Sequence, residues 1–590
     1  LNRGEHYRCF RLNLAILSIL EVPIAFFSSI AWAGDLNSVF CCTESTAIVS
    51  QLPNPIPPRQ PELPTPTPRP TPKPPLDVTP TPTPTPERSE APGTITVKQF
   101  EFVGNTEKAI SDAQLRAATK TFTNRPLSFA ELLQVEAAVT KLYTDAGYIN
   151  SGAVIPAGQT FAPKAATVKV QIVEGGLEDI RVTGTRRLNP KYVRSRLAIA
   201  TTKPLNRLKL LEALQLLQLN PLIQNLSAEL SAGSRPETSL LEVRVTEADS
   251  LRTELFADNG RVPSVGSFRR GIDFRQANLF GIGDGLNLKY TNTEGSNAFD
   301  LSYTVPFNPR NGTFTLASGF IDTNVVEPPF DRIDITGDSF YLELSSRQPI
   351  IQTPTRELAL GLTLSRQQSQ TKIGGEEIPI SPGADEDGET KVSAIRFFQE
   401  YTQRSSQQVF ALRSQFSLGV GLFDATINSD PPDSRFFSWR GQGQYVRQLA
   451  PDMLFVLRSD LQFASETLVP LEQIGIGGFQ SVRGYRQDQL LTDNGLFTSA
   501  EVRFPVLRAK DIEGVLQVVP FVDFGLGWNG SDNPDPDPNS LVGVGLGLQW
   551  QMGDRLNARL DYGIPLTNVD SQNRTWQENG WYFSVNYSLF

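Results

Sequence analysis

From Leu251 onward the chain alternates apolar and polar residues with a period of two and carries no helical stretch. In LNARLDYGI (556–564), Leu556, Ala558, Leu560, Tyr562 and Ile564 share one face, while Asn557, Arg559 and Asp561 take the other. In MLFVLRSDLQF, Met453, Phe455, Leu457, Leu461 and Phe463 oppose Arg458, Asp460 and Gln462. Charges alternating with large apolar residues do not suit a sandwich core; they suit a wall with lipid outside and water inside. About sixteen such strands can be marked out, a number that leaves a channel for water and for an extended polypeptide. Tight turns such as GIGDG (281–285), LAPD (449–452) and QMGD (551–554) alternate with long polar connections at 366–389, 465–493, 526–540 and 565–580. Short periplasmic turns and long external loops characterise an outer-membrane barrel, and an even strand number puts both ends in the periplasm. The last strand, WYFSVNYSLF, sets Trp581, Phe583, Val585, Tyr587 and Leu589 toward lipid and leaves Phe590 out of phase.

Before the barrel the period changes to that of helices. FEFVGNTEKAISDAQLRAA returns as IRVTGTRRLNPKYVRSRLA, with Gly104 and Gly184 in equivalent places, and TVKVQIVEG returns as LLEVRVTEA. Each unit reads strand, helix, helix, strand, strand. Ser128 and Glu131 form a capping box for a helix whose Leu132, Val135, Val139 and Leu142 share a face. Asn206 caps the equivalent helix, with Leu208, Leu211 and Leu214 on one face. Neither unit holds a catalytic constellation.

The N-terminal region reads as an address and a spacer. Arg3, Arg8 and Arg11 precede an apolar run, Leu12 to Phe27, and a small-residue site that predicts cleavage after Ala33. Residues 1–33 are thus a signal peptide. The residues before Cys41 and Cys42 match a lipidation box poorly. Within 34–93, the proline-rich stretch 53–92 favours polyproline II and serves as a semi-rigid spacer. No later run is long enough to cross a membrane as a helix, so insertion must be as a barrel. Composition then removes whole classes. The one histidine is His6, which excludes Ser-His-Asp and Cys-His devices and His-ligated zinc. A net charge of −9 argues against nucleic acid.

GLGWNG (525–530) fits G-x-G-x-x-G, but the SDNPDPDPN that follows cannot form the helix a dinucleotide requires. Asp535, Asp537 and Asn539 lack the turn glycine and closing glutamate of a calcium loop. No cofactor or metal is expected. FVDFG (521–525) is different: Asp523 has apolar neighbours, and an unpaired carboxylate in a confined lumen is costly. Arg483, in the polar loop SVRGYRQDQL (481–490), reaches it if that loop folds inward. If the loop lies outside, Asp523 faces a wet pore. Residue chemistry supports the two equally.

SVRGYR, followed by FVDFG and preceded by two V-x-G-x modules, resembles the two-partner secretion transporters of the ShlB/FhaC/HecB family, relatives of BamA-type insertases. The resemblance covers nearly all of 94–590. It implies two α+β POTRA modules, at 94–176 and 177–248, followed by an all-β transmembrane antiparallel barrel of about 16 strands at 249–590. It implies that Val482, Arg483, Gly484 and Tyr485 fold into the lumen and meet Phe521, Asp523 and Gly525, with Gly484 free to adopt positive φ at the tip. It also implies no enzymatic activity. The implied partners are a large secreted TpsA-type client bound by the modules, outer-membrane lipids, and the barrel-assembly machinery that inserts the chain. Members often carry an N-terminal plug helix; residues 34–52 make a poor, short one. A BamA-type insertase and a passive porin are the competing readings.

Overall fold

The computed structural model describes residues 76–77, 94–160, 165–235, 237–530, 533–569 and 575–589. The readings of the signal peptide and Ala33, of Cys41 and Cys42, of most of the spacer and of Phe590 lie outside the described residues.

Both repeats fold into the same small sheet. The first and last strands pair in parallel, Thr94–Val103 with Ala166–Val173 and Gly176–Thr183 with Thr238–Glu247. The remaining strand pairs antiparallel with the last: Gly152–Val154 in the first module, Ile223–Ala232 in the second. Two helices cover one face of each sheet, and each module has its own apolar core.

The caps fall where the sequence puts them. The Ser128 hydroxyl accepts from the Glu131 N–H, and the Glu131 carboxylate accepts from the Ser128 N–H at 2.8 Å. Asn206 accepts from the N–H groups of Leu208 and Lys209. The buried faces need correcting. In the first module the fourth buried residue is Tyr143, not Leu142, because a step of four from Val139 stays on the stripe facing the sheet. In the second the buried leucines are Leu210, Leu214 and Leu217; Leu208 is 58% exposed and Leu211 half-buried. RLKLLEALQLLQ has leucine on several sides, so its phase is set by the sheet rather than by its own pattern.

A shared device closes the loop after each first strand. Gly104 (φ +86°) and Gly184 (φ +84°) turn the chain where a side chain would strike a backbone carbonyl, Ile172 O at 2.9 Å or Val245 O at 2.3 Å. A glutamate at the end of the last strand then accepts from that loop. Glu174 takes the Thr106 N–H (3.2 Å) and hydroxyl (2.6 Å). Glu247 takes the backbone N–H groups of Arg186, Arg187 and Leu188 at 2.5, 3.0 and 2.9 Å.

Sixteen antiparallel strands close the barrel, from Leu251–Asp258 to Trp581–Ser588, whose mutual pairing forms the seam. The two-residue strand Glu376–Glu377 only pairs back on Arg356–Ile373. The alternation has the expected sense: Leu560, Tyr562 and Ile564 are exposed outward, while Asp561 is buried inside. Two connections are shorter than the sequence suggests. Arg356–Ile373 carries the barrel wall past 366, leaving 374–388 as the loop, and Gly514–Trp528 leaves 529–539. At 18 residues, strands Ile335–Gln352 and Arg356–Ile373 far exceed the ~10 that cross a bilayer. Beyond the lipid both faces are wet, so alternation fades while pairing continues. The connection 465–493 contains its own hairpin, Ile474–Ile476 against Leu490–Thr492.

The Glu247 device predicts an acid-sensitive module. Burial pushes its carboxyl up, but the N–H groups of Arg186, Leu188 and Arg187 outweigh it and hold the pKa below the ordinary glutamate value. This stabilisation is therefore complete above the ordinary glutamate range and is lost as pH falls through the lowered value. Glu247→Gln should cost about 1 kcal/mol and remove that pH dependence. The readout is hydrogen exchange at the amides of 186–188; unchanged protection would refute it.

Candidate functional site

The loop 465–493 folds into the barrel, and Arg483 is 1% exposed. All five guanidinium N–H donors find acceptors. Nε donates to Asp523 Oδ2 at 2.7 Å and Nη2 to Asp523 Oδ1 at 2.8 Å, a bidentate grip. Nη1 donates to Asp561 Oδ2 (3.0 Å) and Glu501 Oε2 (3.3 Å), and Nη2 also to Ser499 Oγ (3.3 Å). The Arg483 backbone N–H adds a third bond to Asp523, at 3.1 Å. The Phe521 ring centroid lies 3.4 Å beneath the guanidinium.

Phe521, Asp523 and Gly525 are alternate residues of one strand, so they share the lumenal face. Gly525 leaves room for the buried Val482, whose Cγ2 would lie 2.8 Å from a Cβ there. Gly484 has φ +109° and rests against Ile564 and Pro565. The wall opposite the loop is also bare: a Cβ on Gly543 would meet the Arg483 carbonyl O at 2.1 Å, and one on Gly563 the Gly484 N at 2.6 Å. The Tyr485 hydroxyl donates to Val542 O (2.7 Å) and accepts from the Thr567 N–H (2.9 Å). Tyr582, on the last strand, accepts from the Gly484 N–H (2.8 Å) and donates to Tyr485 O (2.6 Å). All seven residues named from the sequence thus converge, and the ambiguity between an inner and an outer loop resolves inward.

The sequence reading missed the rest of the clamp. It expected one ion pair; the structure has a network. Glu501 also accepts from Arg559 (2.8 Å) and Arg503 (2.7 Å), and Asp561 from Arg559 (2.9 Å). The signal was present for Asp561 and Arg559, already on the lumenal face by alternation. Nothing in the sequence marked the distant ties. Glu472 pairs with Arg396 at 2.6 and 2.9 Å, five strand positions around the barrel from Asp523. Arg486 reaches Glu327 at 2.7 and 2.9 Å, roughly half-way round. The loop therefore crosses the lumen as a bar pinned at several points.

Known proteins resemble this chain over both the modules and the barrel. Residues 237–550 match the family described as haemolysin secretion/activation protein ShlB/FhaC/HecB, and residues 95–175 match the ShlB-type POTRA domain. The chain belongs to the ShlB/FhaC/HecB family. It is 22% identical over 452 residues to the heme/hemopexin transporter protein HuxB of Haemophilus influenzae, covering 73% of this chain and 76% of that one. It is 20% identical over 419 residues to the outer membrane transporter CdiB of Dickeya dadantii, covering 69% and 72%. The solved CdiB from Escherichia coli superposes with a TM-score of 0.65 over 86% of this chain and 93% of that one, at 20% identity, which establishes likeness of fold. This ShlB/FhaC/HecB member is an outer-membrane transporter for two-partner secretion, with its POTRA modules in the periplasm; it is not an enzyme.

The network makes the clamp asymmetric. Among the described residues every partner of Asp523 comes from Arg483, whereas Arg483 keeps Asp561, Glu501 and Ser499 if Asp523 is removed. Arg483→Ala should therefore cost up to ~3–5 kcal/mol of loop attachment, and Asp523→Ala clearly less. The double substitution should be little worse than Arg483→Ala. Arg483→Lys should rescue only in part, because an ammonium cannot span the same acceptors. A double-mutant cycle on client export rate checks this, with heat-modifiable migration in SDS gels confirming that the barrel still closes. Additive losses would refute the coupling.

Arg396→Ala should free the Glu472 end while leaving the Arg483 clamp in place. In a chain lacking Cys41 and Cys42, a cysteine at Gln473 should then react several-fold faster with an impermeant thiol reagent. No change would show that the Arg396 tie carries no restraint.

Proposed function

We propose that the exported partner is a large polypeptide that enters unfolded from the periplasm, is held by the modules 94–176 and 177–248, and passes through the barrel 249–590 alongside the loop pinned by Arg483. The observation that carries this reading is a polar lumen occupied by a clamped loop, together with modules whose sheet edges are largely unpaired among the described residues. A passive porin has no use for either. In this reading the clamp formed by Val482, Arg483, Gly484 and Tyr485 on Phe521, Asp523 and Gly525 keeps the pore closed to small solutes and holds the loop in the register from which it moves. Lipids surround the outer face, and the barrel-assembly machinery inserts it.

The capture step is best supported at the second module. The sheet edges of the first are three-residue strands, Pro126–Ser128 and Gly152–Val154. Ile223–Ala232 offers ten residues, and among the described residues Ala228 and Glu229 alone are paired on its outer side, in parallel with Leu76 and Asp77. That edge therefore already accepts an extended segment of its own chain. Strand addition suits a client of varied sequence, since main-chain groups supply the recognition.

A photo-reactive residue at Glu229 should crosslink the client during export, whereas one at Lys191, exposed on a helix, should not. Equal adducts at both positions would refute capture at the edge.

A further inference from the structure

The second module meets the barrel at its periplasmic rim. The Asn189 N–H donates to the carbonyl of Gly281 at 2.8 Å, and Tyr192 packs on Gly283, where a Cβ would fall 2.2 Å from the ring. Beside this contact lies a groove of about 380 Å3. One wall is formed by helices Pro190–Ala200 and Arg207–Gln218, the other by the barrel turn at 309–311 and the strand end at 349–352.

Arg196 is the fixed cation of this groove. Its guanidinium lies 3.4 Å over the Tyr192 ring, its Nε donates to Asn311 Oδ1 at 2.8 Å and its Nη1 to Tyr192 O at 3.2 Å. Tyr192 is itself held by Asn220 at 2.9 Å. Among the described residues no carboxylate lies within 4.0 Å of Arg196, and its Nη2 has no acceptor. Burial disfavours its charged form without any ion pair to offset the cost. Lys209 and Arg310 add two exposed cations at the groove's edges, against one acidic residue, Glu212. Ile199, Leu216 and Ile350 supply its apolar surface.

We propose that this groove binds the headgroup of an anionic phospholipid from the periplasmic leaflet. The phosphodiester accepts from Arg196, whose planar donors suit phosphate oxygens, while Lys209 and Arg310 flank it. The first methylenes lie along Ile199, Leu216 and Ile350. Position favours a lipid: Phe307 and Phe314, 4.5 Å apart and both exposed on the barrel's outer surface, mark the aromatic girdle beside the turn that carries Arg310. A polypeptide is disfavoured because the strand end in the walls, 349–352, is only four residues long and begins on Pro349, which has no N–H to pair. The bound lipid braces the joint between the module and the barrel.

Native mass spectrometry of the full chain in detergent tests this, with phosphatidylglycerol and phosphatidylethanolamine of identical acyl chains added in turn. One phosphatidylglycerol should be retained with about ten-fold preference, the scale set by one or two basic groups near a headgroup. Arg196→Gln should abolish that preference, and the double variant Lys209→Gln, Arg310→Gln, which leaves the packed joint intact, should reduce it several-fold. Arg194→Gln, exposed on the same helix, should leave it unchanged. Heat-modifiable migration confirms the fold of each variant. Equal retention of both lipids, or a preference that survives both sets of substitutions, would overturn the proposal. So would retention of soluble glycerol 3-phosphate as firmly as the lipid, which indicates a free-phosphate site, or displacement of the lipid by a short acidic peptide, which indicates a client site.

Discussion

A guanidinium cannot be buried in a protein lumen unless acceptors are already in place, and Arg483 is buried almost completely. The barrel provides those acceptors from three strands, and their relative heights are fixed by hydrogen-bond register. Ser499 pairs with Asp523, and Asp523 with Gly543. Read across the wall, that row is a hydroxyl, a carboxylate and a gap. The hydroxyl and carboxylate receive the Arg483 side chain, and the gap receives its carbonyl. A slip of one residue in either pairing would turn Asp523 toward lipid or put a side chain where the loop must lie. The charge of one loop residue thus constrains the register of the wall it touches.

This constraint also orders the ways in which the loop can move. The Arg483–Asp523 contact is closed to water at both partners, whereas Arg486 is 24% exposed and the Glu472–Arg396 pair lies between, at 7% and 11%. Ion pairs that water can reach cost little to break, while buried ones leave uncompensated charge behind. Motion that begins at the Arg486 and Glu472 ends, with Arg483 as pivot, is therefore cheaper than withdrawal of the whole loop. A polar cavity of about 250 Å3 beside Arg396 and Glu472 gives the freed segment space.

The barrel was legible because lipid and water impose a period of two on every crossing strand, and that period survives in single segments such as LNARLDYGI. It fails where the physical cause lapses: above the bilayer the strands continue without alternation, so the pattern puts a loop at 366–389 where strand Arg356–Ile373 runs on. Residue chemistry leaves the pairing of Arg483 with Asp523 open, since both an inner and an outer loop tolerate arginine; the family motifs favour the inner one. Glu501, Glu472, Arg396 and Tyr582 could not be found at all. Glu472 sits on the inner loop and the other three on strands where lumenal polar residues are ordinary, and only closure of the barrel around the loop brings them to their partners. In the modules, caps were readable because they are local, while the buried face of a leucine-rich helix was not, because the sheet chooses it.

The two modules share a loop device yet differ in their edges, and the difference has an energetic consequence. LDVT (76–79) is the longest proline-free run between Pro53 and Pro86, hence the longest stretch there able to donate consecutive N–H groups to a sheet. Leu76 and Asp77 use it to pair with Ala228 and Glu229. At about 1 kcal/mol net per main-chain hydrogen bond, a two-residue pairing is a weak hold. In the capture proposed above, a client strand running the ten residues of Ile223–Ala232 would form several times as many bonds and would displace it. The proline spacing therefore limits how strongly the spacer competes for the edge.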